Sequence, residues 1–405
     1  MNSAQLREPL PLEEAQARLL ALVAPLPIER VDVASALGRY LAAPLRARRT
    51  QPAANVSAMD GYAVRAADLA GPWRIVGESA AGHPFPGTVG AGEAVRIATG
   101  AVVPAGAEAV IVQEDVVRNG VSLTLTGTPP RPAGRHVRRA GQDFQCEAEL
   151  LRAGTRIGPA QIALAIGAGH KHLAARRPPR VAIIDSGDEL AADPEICAVH
   201  QVPASNGAML AALVASLPAR TYRLGPVPDD LAALTAALDA ARDADVIVTT
   251  GGASVGDHDL IRPALEQWGA SLEFWRVAIK PGKPLLVARK GAQLVVGLPG
   301  NPVSATVTGY FFLLPLLRAL LGAAAPLPRP LTLRLTVPMP AVGGRREFVR
   351  GRFIDGGIAP VPTQDSGALG ALAAADLLID RPAHAPPATA GDEVCAYLLE
   401  NGGLA

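Results

Sequence analysis

The sequence predicts a multidomain α/β plus β protein whose centre is an α/β domain built on a parallel sheet. Three observations carry this. Aliphatic runs bounded by Gly and Pro, such as Asp245-Val246-Ile247-Val248 and Gln293-Leu294-Val295-Val296, read as strands buried on both faces. Between residues 181 and 321 such runs alternate with segments of helical spacing, which is the pattern of parallel strands joined by crossover helices. The chain is also 405 residues long, more than one hydrophobic core usually supports.

Taken in order, residues 12–23 carry leucines and valine at helical spacing behind an acidic start and predict a first helix. Four short runs follow among Gly and Pro turns: Trp73-Arg74-Ile75-Val76, Ala94-Val95-Arg96-Ile97, Ala109-Val110-Ile111-Val112 and Val121-Ser122-Leu123-Thr124-Leu125. They predict a small β domain over 52–132. It interrupts an N-terminal helical and extended domain made of residues 1–51 and 133–177, with Pro129-Pro130-Arg131-Pro132 at its exit. Arg176-Arg177-Pro178-Pro179 reads as a hinge into the α/β domain of residues 178–325. There, residues 181–184 and 221–224 read as strands and 206–216 and 231–241 as helices. Phe274-Trp275-Arg276-Val277-Ala278-Ile279 is a further strand, and 303–321 a buried helix. A proline cluster at 326–330 precedes a C-terminal β domain of residues 326–405, opened by the alternating Leu331-Thr332-Leu333-Arg334-Leu335-Thr336-Val337.

Composition narrows the function. A formal net charge of +1 gives no global attraction to nucleic acid or to an anionic membrane. The N-terminus lacks the charged-then-apolar layout of an export signal, and the apolar stretch near 310–321 is broken by Pro315 and Arg318. Cys146, Cys197 and Cys395 are far apart and form no C-x-x-C pair, so neither a disulfide framework nor a structural zinc site is expected. A cytoplasmic location fits best.

Three loops carry the chemistry, each following a predicted strand, and ligands of such sheets bind outside the carboxyl ends of the strands. In Thr249-Thr250-Gly251-Gly252-Ala253-Ser254-Val255-Gly256-Asp257-His258-Asp259, the glycines allow backbone amides to turn towards phosphate, and Asp257 and Asp259 are hard donors suited to Mg²⁺. Lys280-Pro281-Gly282-Lys283-Pro284 supplies two ammonium groups on a stiffened backbone, an anion clamp. In Gly297-Leu298-Pro299-Gly300-Asn301-Pro302-Val303-Ser304, Asn301 is placed to cap and Pro302 suits the first helical position, so the helix start is an anion site.

These loops resemble the molybdopterin molybdenumtransferases, the MoeA or gephyrin E-domain family. The likeness extends to Ser57-Ala58-Met59-Asp60-Gly61-Tyr62-Ala63, Arg96-Ile97-Ala98-Thr99-Gly100-Ala101, Arg138-Arg139-Ala140-Gly141-Gln142-Asp143, Gly187-Asp188-Glu189-Leu190, Asp229, Arg345-Arg346-Glu347-Phe348 and Ser366-Gly367-Ala368-Leu369, in the same order. The resemblance implies a pterin-binding α/β domain, a C-terminal β barrel and a homodimer. It implies insertion of molybdate into adenylylated molybdopterin with Mg²⁺ and release of AMP, and contact with the adenylyltransferase and with cofactor-receiving enzymes. It gives Gly251, Gly252, Ser254, Gly256 and Asp188 to pterin or phosphate binding, and Asp257 or Asp259 to Mg²⁺. Asp229 and Glu189 ligate metal or orient the ligand. Lys280, Lys283 and Pro284 hold the oxyanion, completed by Ser304, Arg345 and Ser366. Asp60, Thr99 and Asp143 match functional positions in other domains, hence a cleft between domains or subunits.

Taken singly, each residue has a plainer reading. Asp229, Asp257 and Asp259 resemble helix caps, the lysines and Arg345 solvated charge, and Asp60, Thr99, Asp143 and Ser366 turn formers; joint occurrence in order overrides these. Three positions depart from the family pattern: Asp185 adds a negative charge near the proposed anion site, Ala204 replaces an Asp, and Asp376 an Asn. The rival functions are nucleotidyl transfer or hydrolysis, which needs neither the Asp60 signature nor the C-terminal domain, and a receptor-binding scaffold. Tungstate and molybdate, alike in size and charge, are not distinguished.

Overall fold

The computed structural model describes residues 9–251 and 260–399. Helix α1, Leu12–Ala21, opens with Glu13 and Glu14, which suit the positive end of the helix dipole. Its apolar face, Leu12, Ala15 and Leu19, is buried in the core of the α/β domain with Phe311 and Leu317, and Gln16 Nε2 donates to the Phe311 carbonyl at 2.9 Å. The first helix is thus packed on the α/β domain. The rest of the N-terminal region is short ladders: Ile28–Asp32 pairs antiparallel with His172–Arg176, so the chain returns here after its β excursion. Helix α2, Pro159–Gly167, contributes Ala165 to a separate small core with Val33, Leu41, Ile157 and Leu173.

The inserted β region is a six-stranded sheet in the order Ala109–Val112, Gly61–Val64, Glu93–Ile97, Trp73–Ser79, Ser122–Leu125, Val116–Asn119. Gly61 is needed at its centre, because a Cβ there would collide with the Ile111 carbonyl of the neighbouring strand. That close approach fixes Asp60 at the strand's entry.

The α/β sheet runs Arg220–Val227, Arg180–Ser186, Val246–Thr250, Gln293–Leu298, Leu286–Lys290, Ser271–Trp275. The first four strands are parallel and the last two antiparallel additions. Side chains alternate across it. Val181, Ile183, Val246 and Val248 face the core made with α3 (Asn206–Val214) and the helix starting at Pro302. Ala182, Ile184 and Ile247 face α4 (Leu231–Ala240) and α5 (Ile261–Trp268). Each fully buried Val or Ile contributes about 1.5–3 kcal/mol, which is why these runs lack polar residues. The predicted helix over 303–321 forms as α6 (Pro302–Thr308), one π-helical stretch (Gly309–Leu313) and α7 (Leu314–Leu320). This apolar stretch is 83% buried inside the protein.

The C-terminal sheet orders Ile279–Lys280, Arg346–Ile354, Leu377–Arg381, Glu393–Leu398, Leu331–Arg334, with Gly357–Pro360 paired to Arg346–Ile354; α8 is Leu369–Ala373. The strand read as 274–279 is therefore two. Its start, Ser271–Trp275, edges the α/β sheet, and its end, Ile279–Lys280, joins the C-terminal sheet parallel to Arg346–Glu347. The chain breaks at Arg276, whose φ of +79° no strand accommodates. Phe311 of the α/β domain stacks on Phe348 of the C-terminal sheet at 4.1 Å and meets Tyr397 edge-on at 4.9 Å, which seals the two domains. At the hinge, Arg177 forms a two-pronged pair with Asp245, at 2.6 and 2.8 Å.

Candidate active site

Gly251 ends strand Val246–Thr250 with φ +91°, and a Cβ on it would strike the Ser186 carbonyl, so only glycine lets the two strand ends meet. A Cβ on Gly300 would lie 3.5 Å from Gly251 Cα, which brings the Leu298-Pro299-Gly300-Asn301 turn against the glycine-rich loop. Gly252, Ser254, Gly256, Asp257, His258 and Asp259 lie outside the described residues. Asn206 at the start of α3 ties the same corner together, donating from Nδ2 to the Gly300 carbonyl at 2.6 Å.

Asp185 is held within the sheet edge. It is 2% exposed, accepts from Thr250 Oγ1 at 2.7 Å, lies 3.5 Å from Arg223 and packs against Gly207 in the first turn of α3. Its charge is taken up inside the sheet edge. Asp188 and Asp229 are exposed neighbours, the Asp229 N–H donating to Asp188 Oδ1 at 3.0 Å. Capping of α4 falls to Asp230, which accepts from Ala233 N at 2.8 Å, so Asp229 is left for other work. The Glu189 carboxylate curls back over Gly187.

The lysine loop is wedged between two domains. Gly282 has φ +107°, and a Cβ on it would fall 2.7 Å from Thr308 Cγ2 of α6, so the loop sits directly on that helix. Lys280 Nζ pairs with Glu347 Oε1 at 2.9 Å, while Lys283 is exposed and makes no ion pair among the described residues; the Pro284 ring is half-buried beside it. Val277 N donates to the Lys283 carbonyl, bending the loop back on itself.

At the helix start the structure corrects one expectation: Asn301 makes no side-chain cap. Its Nδ2 donates instead to Ser366 Oγ at 3.0 Å, and Val303 N donates to the Ser366 carbonyl at 3.1 Å. A residue of the C-terminal domain thus occupies the place of a cap. Because Pro302 has no N–H and that of Val303 is taken, donor capacity in this turn passes to Ser304, 5% exposed at the second residue after Pro302. Arg345 is half-buried and precedes Arg346, whose N–H bonds the Ala278 carbonyl; it therefore flanks the lysine loop. Arg346 itself is committed to Asp380 and Glu13.

The N-terminal candidates form two further groups. Asp60 Oδ1 accepts from Thr99 N at 2.7 Å and Thr99 Oγ1 at 3.0 Å. The Thr99 amide, then its hydroxyl, hold the Asp60 carboxyl below the usual carboxylate range against the opposing effect of burial, with Arg96 adding to the lowering. Asp143 lines a cavity of about 360 Å³ with Gln51, Pro52, Arg138 and Gln142. Among the described residues, no hydrogen bond or ion pair links either group to the lysine loop or to Ser366. Sequence reasoning gives no role to Glu347, Asn206 and Thr250 and misses the inter-domain role of Asn301. The partners lie 65 to 94 positions away in the chain, so no local spacing announces them.

Residues 10–169 match the MoeA N-terminal region (domain I and II), 182–319 the probable molybdopterin binding domain, and 332–399 the MoeA C-terminal region (domain IV). The molybdopterin molybdenumtransferase of Haemophilus influenzae is 34% identical over 349 residues, 85% of this chain and 86% of that protein. The one from Nostoc sp. is 36% identical over 307 residues, covering 73% and 70%. The crystal structure of the molybdopterin biosynthesis moeA protein of Pyrococcus horikoshii OT3 superposes with a TM-score of 0.84 at 26% identity, over 97% of this chain and 100% of that one.

Proposed function

The chain belongs to the MoeA family, and from that premise we propose that it is a molybdopterin molybdenumtransferase, inserting molybdate into adenylylated molybdopterin with Mg²⁺-dependent release of AMP. One observation supports the reading at the residue level: Ser366 of the C-terminal domain docks on the start of α6 through Asn301 and Val303, while the lysine loop, with Gly282 against Thr308, lies at the other end of that same short helix. A tetrahedral dianion leaves water only where several charged or N–H donors replace its hydration, and these segments carry the ammonium, guanidinium and hydroxyl groups for it in Lys280, Lys283, Arg345, Ser304 and Ser366. Gly251, next to Gly300, would serve the phosphate side.

Among the described residues no three His, Cys, Asp or Glu side chains cluster as a closed metal site. Mg²⁺ asks for less: one or two carboxylates, the remaining positions going to water and substrate phosphate. Asp188 and Asp229, exposed and adjacent, fit that demand, and Asp257 and Asp259 are the further candidates. When bound, the ion would offset the charge that gathers on the phosphate as AMP departs. The protein's own part is positional. The lysines and Ser304 would fix the oxyanion for transfer to the pterin.

Among the described residues no hydrogen bond or ion pair ties Asp60, Thr99 or Asp143 to the lysine loop, and we propose that a second subunit of a cytoplasmic homodimer brings them to the site. The deciding experiment is Lys283→Ala. Molybdate-dependent AMP release should vanish while the melting temperature stays within about 2 °C, as for a surface change of under 0.5 kcal/mol; normal turnover would refute the assignment.

A further inference from the structure

Arg350 is the largest of the fully buried side chains, 1% exposed, in strand Arg346–Ile354 of the C-terminal sheet. Its guanidinium meets no carboxylate at ion-pair distance among the described residues. It donates from Nη1 to the Asp365 carbonyl and from Nη2 to the Thr363 carbonyl, each at 2.9 Å. Gln364, between those carbonyls, is bound reciprocally: Arg350 N donates to its Oε1 at 3.0 Å, and its Nε2 donates to the Arg350 and Val361 carbonyls at 3.0 and 2.8 Å. The Asp365 carboxylate turns the other way, accepting from Gly367 N at 2.8 Å.

Burying a cation against peptide carbonyls costs desolvation, which also lowers the arginine's pKa. A neutral donor would satisfy one carbonyl at lower cost. What only the rigid guanidinium fork supplies is a fixed spacing between two carbonyls at once. Those carbonyls end one residue short of Ser366, whose own carbonyl and hydroxyl are docked on Val303 and Asn301. We infer that Arg350 is a positioning residue for the oxyanion pocket: by clamping the 363–365 backbone it sets Ser366 against the start of α6, and so determines affinity for the tetrahedral oxyanion without touching it. The inference rests on the proposed reading of that pocket.

The test uses the full-length protein with Arg350→Lys, which keeps the charge and loses the fork, and Gln364→Met, which leaves Arg350 in place and removes the reciprocal bonds. Ser366→Ala serves as the reference. KM is measured separately for molybdate and for adenylylated molybdopterin, with kcat and thermal melting. Each variant should raise KM for molybdate about tenfold, the equivalent of ~1.4 kcal/mol, and leave KM for the pterin within about twofold. Arg350→Lys combined with Ser366→Ala should raise it little beyond either alone, because both act on one contact. An unchanged molybdate KM in folded Arg350→Lys, or parallel rises in both KM values as general loosening would give, overturns the assignment. Should Arg350→Lys fail to fold, Gln364→Met decides by the same criteria. If Ser366→Ala alone leaves the molybdate KM untouched, the pocket reading fails, and this inference falls with it for that separate reason.

Discussion

Glu347→Gln should tighten oxyanion binding. Glu347 holds Lys280 at 2.9 Å, with side chains 24% and 57% exposed, so an incoming dianion must displace a carboxylate before it gains the ammonium. Unit charges about 4 Å apart attract by ~1 kcal/mol in water and ~4 kcal/mol at an effective dielectric of 20. With Lys280 more than half exposed, screening and side-chain entropy bring the net value into the range of exposed pairs, about 0.2–1 kcal/mol. The substitution should therefore lower KM for molybdate by roughly 1.4- to 5-fold. The backbone ladder of Ile279 and Lys280 with Arg346 and Glu347 does not use the side chain, so the loop keeps its course. The assay is AMP release against molybdate concentration at low and at about 0.5 M salt, where the gain should shrink. A KM that rises would refute the reasoning, since Glu347 would then be holding Lys280 in its working position.

Thr99→Val should return the Asp60 carboxyl upward towards the ordinary carboxylate range, because its hydroxyl bond is one of the two that depress it; carboxyl NMR titration reads this, and an unmoved titration counts against it. The sign is that of a depressed acid: Asp60's contribution is full above the unfolded pKa near 4 and fades as pH falls through the lower folded value. Asp245→Asn should cost about 2 kcal/mol in urea unfolding. Burial there opposes the carboxylate, but Arg177 and the Arg180 amide outweigh it and hold its pKa down, so the loss should disappear in acid; an equal loss at pH 2 and pH 7 would exclude the ion pair as its cause. Phe348→Ala removes the ring stacked on Phe311 and should cost about 3–5 kcal/mol, with the C-terminal domain released first in limited proteolysis; uniform digestion would show that the seal lies elsewhere.

What was legible in the sequence follows from which interactions are local. Val246–Thr250 and Gln293–Leu298 were readable because a strand buried on both faces must be apolar throughout. Leu286–Lys290 was not recognised, since it follows the proline-stiffened lysine loop and ends in Arg289 and Lys290 on a turn. The crossing from one sheet to the other at Arg276 has no residue signal, because positive φ is usually announced by glycine. Asn301 before Pro302 is the local pattern of a cap, yet Ser366, 65 residues on, competes for its side chain and wins. The site motifs were recognisable by their order along the chain. Their partnering was not, because Lys280 meets Glu347, and Asn301 meets Ser366, only through domain packing.

The migration of Ile279–Lys280 into the C-terminal ladder has a mechanical side. On the proposed reading, an oxyanion held by that loop would act as a rivet through two separately folded plates, so occupancy should stiffen the joint against prying. By the same logic, grafting Lys-Pro-Gly-Lys onto a solitary α/β domain would leave its leading ammonium dangling in solvent, for want of the second plate.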